Sequence, residues 1–149
     1  MRFLTHRDGR NIDKDSYPAY ETHLDAIRNE LPAELYEMLR FPTAAYQSGR
    51  TFYDAIVVDW RESLSINDWQ HQTTLSILAP RLDRLFEFSF AGPSIKTEAM
   101  GSRIGALYAV EVSMPTNASF AFCFLFMTRY EVELECDRFS FKSSETGRA

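Results

Sequence analysis

Residues Ala118 to Met127 read Ala-Ser-Phe-Ala-Phe-Cys-Phe-Leu-Phe-Met, and no other part of the sequence constrains the architecture as strongly. The four phenylalanines recur at every second position, so a β-strand points all of them to one face of a sheet. Ala121, Cys123 and Leu125 then point to the other face. Aromatic content and short length favour a strand over a buried helix. Because neither face carries a charge, the stretch predicts a central strand that is covered on both sides.

The rest of the chain adds a helical segment first and further strands afterwards. From Tyr20 to Leu39, apolar residues recur at spacings of three and four, which is typical of a helix with one buried stripe. Pro32 divides this segment into a helix that ends at about Glu30 and a shorter helix up to Arg40. Beyond it the apolar period is two. Strands are predicted, besides the central one, over Phe52 to Leu64, Gln70 to Ala79, Leu85 to Ala91, Ile104 to Met114 and Tyr130 to Cys136.

This order of elements predicts a single α+β domain over residues 1–149. The N-terminal helical segment is expected to pack on a curved antiparallel sheet of about six strands. Six strands spaced about 4.8 Å apart make a sheet roughly 29 Å wide, and one helix about 10 Å across covers only part of it. We therefore expect either that the sheet curls around its aromatic face or that a second layer covers it. That layer could be the second helix, another subunit or a partner.

Alternation within the strands predicts which side chains share a face. Ile56, Val58 and Trp60 are placed together on one side of their strand. Glu111 and Ser113 are placed on the side of their strand opposite to the apolar residues.

Composition and charge restrict the class of protein and partner. The chain has 149 residues and a net charge of -5, and 45% of its residues are hydrophobic. The acidic balance argues against nucleic acid or an anionic membrane as the main partner, and it suits a basic protein. The N-terminus lacks the apolar region of a signal peptide, and no apolar run has the length of a membrane helix. We therefore expect a cytoplasmic protein whose two cysteines, Cys123 and Cys136, are reduced.

The chain contains no recognised catalytic or cofactor motif. There is no P-loop, no Rossmann glycine pattern, no Gly-x-Ser-x-Gly and no Cys-x-x-Cys. His6, His23 and His71 are far apart in sequence, and a zinc site or catalytic triad that uses two of them stays an alternative. We expect no catalytic residue, no cofactor and no metal, with Cys123 as a small buried apolar residue.

Two groups of residues are candidates for binding a partner. Glu131, Glu133 and Glu135 alternate along one strand and share one face, where like charges can prevent strand-to-strand aggregation or meet a basic surface. The second group consists of Asp59, Trp60, Glu62 and Trp69. Four acids surround its two tryptophans, namely Asp54, Asp59, Glu62 and Asp68. These acids could serve acid–base chemistry, or they could be outward strand positions and a loop acid, with Trp60 in the core.

Several short motifs follow one another along most of the chain. They are Tyr20-Glu-Thr-His-Leu24 with Leu31-Pro32, Asp54-Ala55 at the start of a strand, Leu78 to Arg84, an aromatic strand that ends at Gly92, and Tyr130 to Phe141. In this order they resemble a group of small bacterial α+β proteins of unassigned function, which is similar to immunity proteins that neutralise a toxin encoded beside them. The resemblance implies a protein partner and no catalytic residues. Tyr53 stands where members of the group carry histidine before the Asp-Ala pair.

The sequence therefore favours binding over catalysis. Its first interpretation is an immunity-type module that neutralises a basic toxin domain by occlusion. The second is a small-molecule-binding protein or enzyme with an aromatic cavity between helix and sheet. The third is a homodimer without another partner.

Overall fold

The fold is seen in a computed structural model, which describes residues 2–4, 6–7, 11–40, 51–64, 71–92, 94–95, 105–128 and 130–146. Two helices precede the main sheets, α1 (Tyr17–Ile27) and α2 (Ala33–Leu39). The strands are β1 (His6–Arg7), β2 (Asn11–Ile12), β3 (Ile56–Leu64), β4 (His71–Ala79), β5 (Arg84–Ala91), β6 (Ser94–Ile95), β7 (Leu107–Thr116), β8 (Ser119–Phe126), β9 (Glu131–Cys136) and β10 (Arg138–Glu145). No helix in these ranges is long and apolar enough to cross a membrane.

The long strands form two antiparallel sheets. The first sheet has the order β10-β5-β4-β3, and the second has the order β6-β9-β8-β7, in which β6 is only two residues long. The α+β class and the antiparallel pairing agree with the sequence, whereas the single curved sheet of about six strands is replaced by two sheets. The division follows from the pairing, because β5 pairs with β4 and β10, whereas β8 pairs with β7 and β9. The chain passes from the first sheet to the second after β5 and returns after β9.

Aromatic side chains fill the space between the two sheets. The ring of Phe90 on β5 lies 4.9 Å from that of Phe122 on β8, and Phe88 lies 6.1 Å from Phe124. All four side chains are fully or almost fully buried. Each sheet thus covers the aromatic face of the other. β8 pairs with β7 on one side and with β9 on the other, which makes it the predicted central strand.

The helices lie beside β7 and cover its outer edge. The hydroxyl oxygen of Tyr20 accepts a hydrogen bond from the main-chain N–H of Val112 at 3.1 Å, and Nε2 of His23 accepts one from Met114 at 3.1 Å. These two side chains of α1 thus bind main-chain N–H groups that an edge strand would otherwise present to another chain. The predicted break is confirmed, since α1 ends before a short 3-10 turn and α2 begins after Pro32.

The predicted facing of β3 is wrong in part. Ile56 and Val58 are 38% and 47% exposed, whereas Val57 between them is completely buried. A register shift between Val57 and Asp59 is the cause, because one additional residue reverses the alternation that follows. Trp60 pairs with the buried Leu75 and returns to the core side.

Candidate functional site

The outer face of the second sheet collects polar side chains from three neighbouring strands. Cys123 on β8 lies directly between Glu111 on β7 and Glu133 on β9. One pair further along, Ala121 lies between Ser113 and Glu135. Since the phenylalanines of β8 point into the core, these residues point outward. We call this surface the acidic face and define it by Glu111, Ser113, Cys123, Glu131, Glu133 and Glu135.

Glu111 fastens the start of the chain to the acidic face. Its carboxylate accepts hydrogen bonds from the main-chain N–H groups of Arg2 at 2.6 Å, Phe3 at 3.1 Å and Leu4 at 2.8 Å. Glu111 lies opposite Cys123, on the predicted side of its strand, but it is only 2% exposed and thus covered. A buried carboxylate is tolerated where several donors point at it, and three consecutive amides meet that requirement here.

Residues 2–4 make further contacts over the same surface. Leu4 is 2% exposed, and the ring of Phe3 stacks on His23 with centroids 4.5 Å apart. The guanidinium of Arg2 pairs with the carboxylate of Glu135 at 3.0 Å. This N-terminal segment thus covers the side of β8 that is opposite its phenylalanines.

The three glutamates predicted to bind a partner, Glu131, Glu133 and Glu135, are brought together on β9 and are half-buried. They alternate with Val132 and Leu134, which are completely buried, as the sequence predicts. A carboxylate oxygen of Glu131, one of Glu133 and the Sγ atom of Cys123 all lie within 4.8 Å of one another.

A small cavity of about 20 Å³ opens between Arg2 and the acidic face. Three of the nine residues that line it are glutamates. Ser113 also lines it, and its Oγ atom is buried without a hydrogen-bond partner among the described residues. The pKa of the Cys123 thiol is raised to about 12, mainly by burial; the positive charge of the N-terminus lowers it, and the carboxylates of Glu131, Glu111 and Glu133 raise it. The thiol is therefore protonated at neutral pH.

The second predicted group lies on a different sheet. Asp59 pairs with Arg61 at 2.8 Å on β3, and Glu62 on the same strand is exposed. Trp60 is half-buried, and its Nε1 atom has no hydrogen-bond partner in the described part of the chain. Trp69 lies outside the described residues. Since β3 belongs to the first sheet and β9 to the second, the two groups are not joined in one sheet.

The histidines do not assemble a site within the described ranges. His23 lies against β7, where burial lowers its pKa, while His71 is exposed at the start of β4 in the first sheet. The side chain of His6 is not among the described ones. The residues that sequence reasoning missed are Glu111, Ser113 and Arg2. Glu111 had one signal, since it is a lone acid inside an apolar run, and a buried charge needs partners.

Cys123 is expected to react slowly with a thiol reagent in the native protein. It is 4% exposed, and the raised pKa leaves little of the reactive thiolate. The measurement is the labelling rate of a Cys136→Ala variant in buffer and in urea, which should differ by several orders of magnitude. Equally rapid labelling in both would mean that the acidic face is open at Cys123.

The acidic face presents hydrogen-bond acceptors, negative charge and a protonated thiol. It does not place a base beside an activated nucleophile, because the pKa of Cys123 is raised rather than lowered. The acidic face is thus better suited to binding a cationic group than to attacking a substrate. No family model, no curated protein and no solved structure matches the chain.

Proposed function

We propose that the protein is a binding module of immunity type, which neutralises a basic toxin domain by covering its active surface. The observation that carries the proposal is the acidic face, where three carboxylates lie on β9, a strand that is paired on both sides. Carboxylates held in fixed positions attract a basic surface and favour one orientation of it. The net charge of -5 adds a long-range attraction for the same basic partner.

The packing between the sheets favours this proposal over a small-molecule site. Ligand pockets usually enclose about 300–1,000 Å³ and are lined mainly by apolar and aromatic side chains. The cavity at the acidic face has about 20 Å³, and a second one beside Tyr53 and Arg81 has about 10 Å³. A third, of about 450 Å³, is an open groove beside α2 without an aromatic side chain; it is lined by Ala33, Glu34, Glu37, Met38, Leu82 and Arg84.

Occlusion requires a surface that does not rearrange when the partner arrives. Strand β9 meets this requirement, because it pairs with β8 along its length and with the short β6 on its other side. The N-terminal segment is held by three hydrogen bonds to Glu111 and by the Arg2–Glu135 ion pair. The partner would thus meet a preorganised surface, which reduces the entropy lost on binding.

The proposal is tested by the product of the gene that neighbours this one. If that product is a toxin, mixing it with this protein should give a stable complex and abolish the toxic activity. A neighbour that is a metabolic enzyme, with no complex formed, would contradict the proposal and favour the small-molecule alternative. A protein that only forms dimers with itself would favour the homodimer.

Reversal of one charge on the acidic face is expected to weaken that complex. Glu133→Lys should raise the Kd for the basic partner at least several-fold, because it replaces attraction by repulsion at the centre of β9. Glu21→Lys is the matched control, since it changes the net charge equally at an exposed position of α1. Equal affinities of the two variants would remove β9 from the interface and direct attention to Asp59, Trp60 and Glu62.

A further inference from the structure

The exposed apolar side chains concentrate on one strand, β3. Among the described residues, the large apolar side chains that are exposed are those of Ile56, Val58, Leu64 and Met127, and all but the last belong to β3. A single exposed apolar residue is ordinary on the surface of a protein. A group of them on one strand is typical of a strand that meets another chain.

The strand β3 is also the last strand of the first sheet. It pairs with β4 on one side. On its other side the start is covered, because the N–H of Val57 donates to the carbonyl oxygen of Gly105 at 3.2 Å. From Asp59 to Leu64, no strand in the described part of the chain pairs with this side. This stretch therefore presents main-chain N–H and C=O groups in the way that an edge strand does.

The usual devices that protect an edge strand are missing from this stretch of β3. It contains neither lysine nor proline. The register shift between Val57 and Asp59 lies beside the part that is already covered, and the pairing with β4 is regular from Asp59 to Leu64. The strand at the opposite end of the sheet, β10, carries the exposed charges of Arg138 and Lys142. Of these two edges, β3 is thus the one suited to pairing.

The charges of β3 complement those of a second copy of the same strand. In an antiparallel pair with a two-fold axis, residues at equal distances from the axis lie opposite one another and on the same face. If the axis passes at Trp60, Asp59 of each copy lies opposite Arg61 of the other. Both side chains are on the outer face, because Asp59 pairs with Ser76 and Arg61 with Thr74, whereas Trp60 is on the core side.

We propose that two copies of the chain pair through β3 in antiparallel orientation, with Trp60 at the two-fold axis. Asp59 and Arg61 already form an ion pair at 2.8 Å within one chain, so the charges of the two copies alternate in sign across the axis. An axis at Asp59, Arg61 or Glu62 would instead place like charges opposite one another. The acidic face lies on the second sheet, so this dimer leaves it open to the proposed partner.

Sedimentation velocity of the full chain over a range of concentrations is the first test. We expect an equilibrium between monomer and dimer that shifts to the monomer on dilution. Because a two-fold contact closes at two copies, no larger assembly should form. A protein that stays monomeric at about 1 mM would overturn the proposal, since the Kd would then lie above about 1 mM. A mass that keeps growing beyond the dimer would overturn it as well.

Exchange of the two charges tests the register. Asp59→Arg and Arg61→Asp each place like charges opposite one another and should raise the Kd of the dimer by about tenfold or more. An equal mixture of the two variants should form heterodimers nearly as well as the wild-type protein pairs with itself, because each chain then meets opposite charges. Single variants that dimerise like the wild-type protein, or a mixture that stays monomeric, would overturn the proposal.

Matched controls change the net charge equally at other exposed positions. Glu21→Lys on α1 corresponds to Asp59→Arg, and Arg138→Asp on β10 corresponds to Arg61→Asp. Both controls should leave the Kd within about twofold, as is usual for charges outside an interface. An equal loss of dimer in Arg138→Asp would move the contact to β10 and overturn the proposal.

Hydrogen exchange tests whether the contact is made by the main chain. Alternate amides between Asp59 and Leu64 point away from β4. These amides should be protected in the dimer and exchange rapidly in dilute, dissociated protein. The comparison uses only the wild-type chain, so a variant that fails to fold does not weaken the test. Rapid exchange in fully dimeric protein would overturn the proposal. None of these measurements involves a toxin, so their outcome is independent of the proposed function.

Discussion

Replacement of Phe122 by alanine is expected to lower the free energy of unfolding by roughly 3–5 kcal/mol, a large part of the total stability of a domain. The side chain is 1% exposed. Its ring lies 4.9 Å from Phe90 and 5.8 Å from Phe88 across the sheets, and 4.9 Å from Phe139 on β10. Rings on two sheets cannot both move into the space that is left, so the variant retains a cavity.

Urea unfolding of the wild-type protein and of two variants measures this effect. Phe120→Ala is the matched control, because Phe120 is on the same strand but only half-buried. We expect a clearly smaller loss for the control. A loss below about 1 kcal/mol for Phe122→Ala would mean that β8 is peripheral, since replacement of a core phenylalanine by alanine typically costs about 3–5 kcal/mol.

Replacement of Glu111 by alanine is expected to lower the free energy of unfolding by about 2–4 kcal/mol. The change removes the acceptor of three main-chain amides and the ion that they surround. Leu4 would lose its anchor at the same time, and its buried side chain would be released to water. The N-terminal segment is therefore expected to detach before the rest of the chain unfolds.

Two readouts separate detachment from general instability. Hydrogen exchange at the amides of Phe3 and Leu4 should become rapid in Glu111→Ala, while amides in the centre of β8 keep their protection under native conditions. Glu21→Ala removes an exposed acid of α1 and should change stability by less than about 0.5 kcal/mol. If Glu111→Ala were as stable as the control, with the amide of Leu4 still protected, the carboxylate would not hold the segment.

Local patterns in the sequence predicted the elements well, because they depend on neighbouring residues. The alternation around Phe122 and Phe124 places β8 in the centre of a sheet with its phenylalanines inward. The same rule is right for Phe88 on β5. Pro32 marks the start of α2, since proline cannot continue the hydrogen bonding of the preceding helix.

Features that depend on residues distant in sequence were not predictable in the same way. Whether six strands form one sheet or two is decided by pairing partners, and β5 pairs with β10 through registers such as Phe88 with Phe141. The shift between Val57 and Asp59 on β3 leaves no mark on the alternation of apolar residues. In both cases tertiary packing decides between patterns that are locally equivalent.

The candidate site, too, was predictable only in part. The side of β9 that carries Glu133 follows from alternation alone. Its closeness to Cys123 follows only from the register of β8 with β9, which the sequence does not state. The contact of Glu111 with Leu4 joins residues that are 107 positions apart. Sequence reasoning looked for a site among the histidines, whereas the polar groups that the fold brings together on the acidic face are one thiol and several carboxylates.

The rate of association with the basic partner, measured by stopped flow at low and at high salt, tests the function of the acidic face most directly. The wild-type protein should associate rapidly at low salt and much more slowly at high salt, because salt screens the attraction. Glu133→Lys should associate several-fold more slowly at low salt and depend less on salt, whereas Glu21→Lys should differ little from the wild-type protein. An association rate and a salt dependence of Glu133→Lys equal to those of the wild-type protein would contradict the proposal that β9 meets the partner.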